Sequence, residues 1–132
     1  MLKELSLSTS NKNEMIDITK KVQGMIKEEG VQEGRVTIFI PHTTAAVTIN
    51  ENADPDVKKD MILAFDRMVP ENKDYDHMEG NSPAHVKASI LGMSETVLIE
   101  NEKLLLGTWQ GIFFSEFDGP RTRKIMIKIE AT

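Results

Sequence analysis

The period of the apolar residues changes several times along this chain, and each change predicts an element. Leu2, Leu5 and Leu7 alternate with polar neighbours and predict a strand over residues 2–8. From Asn13 the step lengthens: Met15, Ile18, Val22, Met25 and Ile26 recur every three or four residues, the spacing of one helix face. Gly30 is the expected stop, since a left-handed residue commonly follows a helix end. Residues 35–40 (Arg-Val-Thr-Ile-Phe-Ile) are rich in β-branched side chains and predict a strand closed by Pro41. Residues 43–50 read as a second strand.

Two later helices begin alike. Asp54-Pro55-Asp56 supplies a capping carboxylate, a proline suited to the first turn and an acid favoured by the helix dipole. Val57, Met61, Ala64, Phe65 and Met68 are the expected apolar face, ending at Pro70. Ser82-Pro83 repeats the device, with Ser82 as the expected cap, Val86, Ile90 and Leu91 as the apolar side and Gly92 as the stop. Strand patterns then fill residues 95–100, 104–106, 109–117 and 121–130. Helices before a run of strands predict a single α+β domain, a mostly antiparallel sheet packed with three helices.

Composition narrows the function classes. At 132 residues the chain can bury one core without disulfides or a structural metal. It has no cysteine, which removes thiolate chemistry and fits a reducing compartment. A net charge of −5 with dispersed basic residues argues against nucleic acid as a partner, because that affinity needs clustered Lys and Arg. No apolar run approaches the roughly 20 residues that span a bilayer, and the N-terminus lacks a signal peptide's apolar core. The expected location is the cytoplasm.

Three stretches carry candidate chemistry. The chain has three histidines, His42, His77 and His85, and all three lie in unusual sequence. His42 ends a β-type run, while His77 and His85 bracket a polar loop. Imidazole is the commonest metal ligand and titrates near neutrality. His85 would sit in a helix's first turn, where the dipole disfavours a positive charge. Asn50-Glu51-Asn52-Ala53-Asp54 is dense in oxygen ligands, with Asp54 expected as a cap and Glu51 without such a local task. The third stretch runs from Gly107 to Arg121 and holds the single Trp and three of the five Phe. There Gln110 and Glu116 share a face that can line a pocket or pair across a subunit boundary, and Asp118-Gly119 reads as a turn. Arg121 and Arg123 also share a face, either holding a phosphate or carboxylate or lying as solvated strand charge.

Together these stretches resemble the YjbQ-like family, whose members are described as secondary thiamine-phosphate synthases. The matching pieces are Pro41-His42-Thr43-Thr44-Ala45, Ile49-Asn50-Glu51-Asn52, Tyr75, His77, Asn81, Ala84-His85, Gly92, and Gly107-Thr108-Trp109-Gln110 through Glu116 to Asp118-Gly119-Pro120-Arg121. The likeness spans nearly the whole chain. It implies an α+β fold, a homotrimer, a polar site including the three histidines, and an activity joining a pyrimidine pyrophosphate to a thiazole phosphate. Ordinary thiamine-phosphate synthases are TIM barrels, which need roughly 200 residues or more.

The expectation drawn from residues and resemblance is an enzyme acting on a small phosphorylated substrate. His42, His77 and His85 would bind a divalent metal, Zn or Mg, and with Glu51 and Glu116 would form the catalytic set. Thr43, Asn50, Asn81, Gln110 and Arg121 would contact substrate. A non-catalytic trimer binding a metal or small ligand is the alternative, and a structural or chaperone-like assembly a third.

Overall fold

β-branched and aromatic residues crowd the strand segments, and backbone pairing joins those segments into two antiparallel sheets. The computed structural model describes residues 1–71 and 74–132. One sheet holds β1 (Leu2–Ser8), β8 (Thr122–Ala131), β3 (Gly34–Phe39), β5 (Ser94–Glu100) and β6 (Lys103–Leu104), side by side in that order. The other holds β2 (Glu14–Asp17), β7 (Gln110–Glu116) and β4 (Ala45–Glu51). Three helices complete the domain: α1 (Thr19–Glu29), α2 (Pro55–Met68) and α3 (Ser82–Leu91). Among the described residues no helix is long and apolar enough to cross a membrane.

Period-two alternation sets the core. Val36 lies opposite Ile129 and Ile38 opposite Ile127, and all four are buried. Their common face packs with Val22 and Ile26 of α1 and with Val47, Ile112 and Phe114 of the smaller sheet. Burying each such side chain stabilises the fold by about 1.5–3 kcal/mol before entropy is counted. The other face of the smaller sheet meets α3 and α2, where Ala46, Ala84, Ala88 and Phe117 form a second cluster joined by Phe65. Both faces of β7 are therefore covered, and the alternation expected along it separates two interiors rather than an inside from an outside.

Several expectations need correction. Met15 belongs to β2, because residues 14–17 pair with β7, Glu14 opposite Glu116 and Asp17 opposite Phe113. α1 begins only at Thr19, and Asp17 Oδ1 accepts from the Thr19 N–H at 2.9 Å. It ends at Gly30, whose φ of 67° is left-handed. Asp54 caps α2 as expected, accepting from the Asp56 N–H at 2.9 Å, yet α2 has no buried residue and Ala64 and Met68 are exposed. α3 reverses its expected faces: Val86 and Ile90 are exposed, while Pro83, Ala84, Lys87 and Ala88 are buried. Its cap position is Asn81, not Ser82, and the Asn81 side chain bonds elsewhere. Small residues on that face let the helix approach β4 closely. Lys87 is accommodated by an ion pair with Asp66 and by the Phe117 ring, 5.7 Å away.

Candidate functional site

Where β3 ends, Pro41 withholds a ladder N–H and the chain leaves the sheet through Pro41, His42, Thr43 and Thr44 before β4 begins. His42 is fixed at once: its Nε2 accepts from the Lys124 backbone N–H of β8 at 3.0 Å. That lone pair is occupied, so the neutral ring carries its proton on Nδ1. Burial, then the nearby Arg123 and Lys124 charges, lower the His42 pKa below its ordinary 6.5, outweighing Glu116 and the Lys124 bond. His42 is a neutral hydrogen-bond donor at physiological pH.

Behind it lies a buried ion pair. Glu116, at the end of β7, is fully inaccessible and engages Arg123 through both carboxylate oxygens, Arg123 Nε donating to Oε1 at 2.8 Å and Nη2 to Oε2. Thr9 Oγ1 donates to Oε1 at 2.8 Å and the Asp118 N–H to Oε2 at 3.0 Å. Arg123 Nη2 also donates to Thr44 Oγ1 at 2.9 Å. Burial alone raises the Glu116 pKa, but Arg123, the Asp118 N–H and Thr9 bring it below its ordinary value. Its acceptor capacity is spent on the protein.

The turn after β7 supplies a third layer. Asn81 Nδ2, from the start of α3, donates to Asp118 Oδ2 at 2.9 Å, and Arg121 Nη2 donates to the same oxygen at 2.9 Å. Arg121 Nε reaches the Asp118 carbonyl at 2.8 Å. Burial works against the Asp118 charge, yet Asn81 and Arg121 hold its carboxyl below the ordinary range. Gly119 follows because nothing larger fits: a Cβ there would stand 2.2 Å from the Asn11 carbonyl oxygen. The Gly119–Pro120 peptide is cis.

These pieces enclose a cavity of about 440 Å³. The loop after β3 lines one side with His42, Thr43 and Thr44; α3 and the segment before it add His77, Glu79, Asn81 and His85; the turn and β8 add Asp118, Arg121 and Arg123. The His77 and His85 rings meet edge to face, with centroids 5.4 Å apart and planes at 86°. All three histidines, Thr43, Asn81 and Arg121 thus converge as expected.

Other expected site residues do not. Glu116 stands behind the cavity, bound to Arg123. Asn50, Glu51 and Gln110 lie at the opposite end of the β4–β7 ladder, where Glu51 faces Gln110, while Ala45 faces Glu116 at the cavity end. Six residues of strand separate them, roughly 20 Å. Asn50 Oδ1 is used by the Glu51 N–H and Gln110 Oε1 by the Gly107 N–H, at 2.7 and 2.8 Å. The histidines do not form a metal centre either: among the described residues no group of three or more His, Asp or Glu can hold an ion. His42 has given its Nε2 lone pair to Lys124, and the other two rings contact each other edge to face. Thr44, Glu79 and Asp118 were not expected in the site. For Asp118 the local turn signal masked an arginine three residues on, the one usable hint of a carboxylate held in place.

The profile described as UPF0047 protein YjbQ-like matches residues 3–132. The chain belongs to the YjbQ family. It is 55% identical over 130 residues to the UPF0047 protein YugU of Bacillus subtilis, with 98% of each chain covered. It also resembles a crystal structure from Clostridium acetobutylicum, described as an uncharacterized conserved protein of the family, at 55% identity and a TM-score of 0.95 over 97% of this chain and 99% of that one. A YbjQ-like protein of unknown function from Sulfolobus solfataricus matches at 30% identity and a TM-score of 0.95, over 100% and 97%. Family membership and fold agree with the resemblance; the expected thiamine-phosphate synthase does not stand. The two structural relatives are described as uncharacterized or of unknown function, and among the described residues the metal group on which the expected mechanism relied is not formed.

Proposed function

We propose that this YjbQ protein is an enzyme that transfers protons on a small polar substrate held in the histidine-lined cavity. The observation that carries the reading is the Lys124 N–H bond to His42 Nε2, which makes His42 a fixed neutral donor. A neutral imidazole N–H directed at a substrate oxygen stabilises negative charge as it develops there, without first being a charged group that must be desolvated. His77 and His85 are the proton-exchanging groups: among the described residues their rings touch each other and hydrogen-bond to nothing else. Thr43 and Asn81 border the space where the substrate sits.

The test is turnover of a defined pool of central metabolites in deuterium oxide, followed by mass spectrometry. The wild-type protein should deplete or deuterate at least one member. His42→Ala and His85→Gln should each slow that change by about 10²-fold, the lower range for general acid–base groups. No change with wild type, or wild-type rates in both variants, overturns the proposal.

A homotrimer is proposed as the working assembly. Its support is the outer face of the five-stranded sheet, where Phe39 and Leu98 are 47% and 57% exposed. A monomer mass by sedimentation equilibrium at micromolar concentration would refute it.

A further inference from the structure

Asp118 is the one carboxylate in the cavity whose two oxygens are treated differently. Asn81 Nδ2 and Arg121 Nη2 both donate to Oδ2, each at 2.9 Å. Oδ1 has no hydrogen-bond partner among the described residues. Two donors on one oxygen fix the carboxylate plane and leave the other oxygen as a preset acceptor. The side chain is only 17% exposed, so a bond formed there is shielded from water.

The surrounding charges decide what can use this acceptor. Among the described residues, Arg121 and Arg123 are the two permanent cations that line the cavity, and each is already matched, by Asp118 and by Glu116. Glu79 adds a further negative charge to the wall. With His42 neutral, an incoming anion finds no unmatched permanent cation among the described residues, whereas a group bearing O–H or N–H meets a fixed carboxylate.

We infer that the cavity captures a hydroxyl or amino group of its ligand on Asp118 Oδ1, so the substrate class is a small neutral or cationic hydrogen-bond donor rather than an anion. The inference rests on the cavity being the functional site. Asp118 is then the substrate anchor, and His42 acts on an oxygen elsewhere in the same molecule.

The choice of variant follows from the geometry. In Asp118→Asn the amide oxygen takes the place of Oδ2, where Asn81 and Arg121 need an acceptor, and the amide NH₂ replaces Oδ1. The turn keeps its bonds while the ligand-facing atom changes from acceptor to donor. The experiment is a titration of isotopically labelled protein, followed by NMR at the side chains of Asn81, His42 and His85. The three probes are glycerol, propylamine and inorganic phosphate, at matched concentrations. Glycerol or propylamine should give saturable shifts, and Asp118→Asn should weaken the one that binds roughly tenfold or more, the scale of a lost charge-assisted hydrogen bond. Loss confined to propylamine identifies a cationic amine; loss for glycerol identifies a hydroxyl. Phosphate binding more tightly than both, no response to either donor, or donor binding unchanged in Asp118→Asn overturns the inference. Donor binding without turnover of any metabolite leaves this inference standing and removes the proton-transfer reading instead. Turnover confined to an anionic metabolite does the reverse.

Discussion

The two ends of the β4–β7 ladder carry similar residue types and do opposite things with them. At one end Glu116, Asp118, Thr44 and Arg123 are tied together in the interior beside the cavity. At the other, Asn50, Glu51, Asn52 and Gln110 are largely solvent-facing; Asn50 and Gln110 bond to near neighbours in the chain and Asn52 to Asp17. The difference comes from what crosses each end. β8 passes behind the first and brings a guanidinium with it, so the carboxylate can be buried. Among the described residues no cation pairs with the polar groups of the second, and they remain near water. A dense run of oxygen ligands is thus weaker evidence of a site than one acid matched by a base from the next strand.

Removing Glu116 should have the largest effect. Glu116→Ala leaves Arg123 buried without its counter-ion and deprives Thr9 Oγ1 and the Asp118 N–H of an acceptor, at an expected cost of about 3–5 kcal/mol. Glu51→Ala at the far end should change stability by no more than about 0.5 kcal/mol. Urea unfolding of both variants measures the contrast, and equal midpoints would abolish it.

Glycine gives a second, smaller contrast. A Cβ at Gly119 meets the Asn11 backbone carbonyl, which cannot swing aside, so Gly119→Ala should cost about 1–3 kcal/mol. A Cβ at Gly111 meets the Asn52 side chain, its Nδ2 at 2.6 Å and its Cβ at 2.8 Å. The amide can rotate out at the loss of its 3.2 Å bond to Asp17, but the Cβ is relieved only by a shift of exposed Asn52 just past the strand end, so a smaller cost of about 1 kcal/mol is expected. Thermal unfolding showing Gly111→Ala to be the worse of the two would mean that the far end is the more rigid.

What the sequence disclosed follows the same division. Caps and stops were readable because their chemistry is local: Asp54-Pro55, Pro83 and Gly30 act within a few residues of themselves. Convergence of His42, His77 and His85 was readable because few histidines occur and they stand just past a strand end, in a polar loop and in the first turn of a helix. Two kinds of information were not local. Met15 has helical spacing to Ile18 and Val22, but pairing with β7 overrides it. The reversed faces of α3 depend on Asp66 and Phe117, which come from other elements, and the fate of Glu116 depends on Arg123 across the turn into β8. Asp118 looked like a turn residue and is one; its second role depends on Asn81, 37 positions away.

Acid should separate the layers of the cavity end by pH. The His42 pKa is lowered in the fold, so the unfolded chain takes up the proton first as pH falls. Stability is unaffected well above 6.5 and declines as pH drops through that value towards the folded pKa. Glu116 and Asp118 have lowered pKa values too, and their contribution, present above 4.5 and 3.8, is lost only at more acidic pH. His42→Gln, whose amide oxygen can still accept from Lys124, should flatten the upper leg and leave the lower one in place. A profile of unfolding free energy against pH that keeps its upper leg in this variant would assign that leg to another group.

The smallest expected effect lies one residue from the largest. Ser115 and Glu116 are both fully buried, but on opposite faces of β7. Every Glu116 oxygen has donors, whereas Ser115 Oγ has no partner among the described residues. Ser115 pairs with Ala46 across the ladder, and Ala46 packs with Ala84 and Ala88 of α3, so the hydroxyl sits among methyl groups. A buried hydroxyl without a partner carries a desolvation penalty that no bond offsets. Ser115→Ala deletes that penalty and leaves a void of only one oxygen atom, so it should be neutral or stabilise the protein by about 1 kcal/mol. The cavity end then holds two neighbouring polar residues with opposite responses to the same substitution, Glu116→Ala lowering the urea midpoint and Ser115→Ala holding or raising it. If Ser115→Ala lowers the midpoint instead, the hydroxyl has a partner under α3, and the interior on that side of β7 is as specifically wired as the one around Glu116.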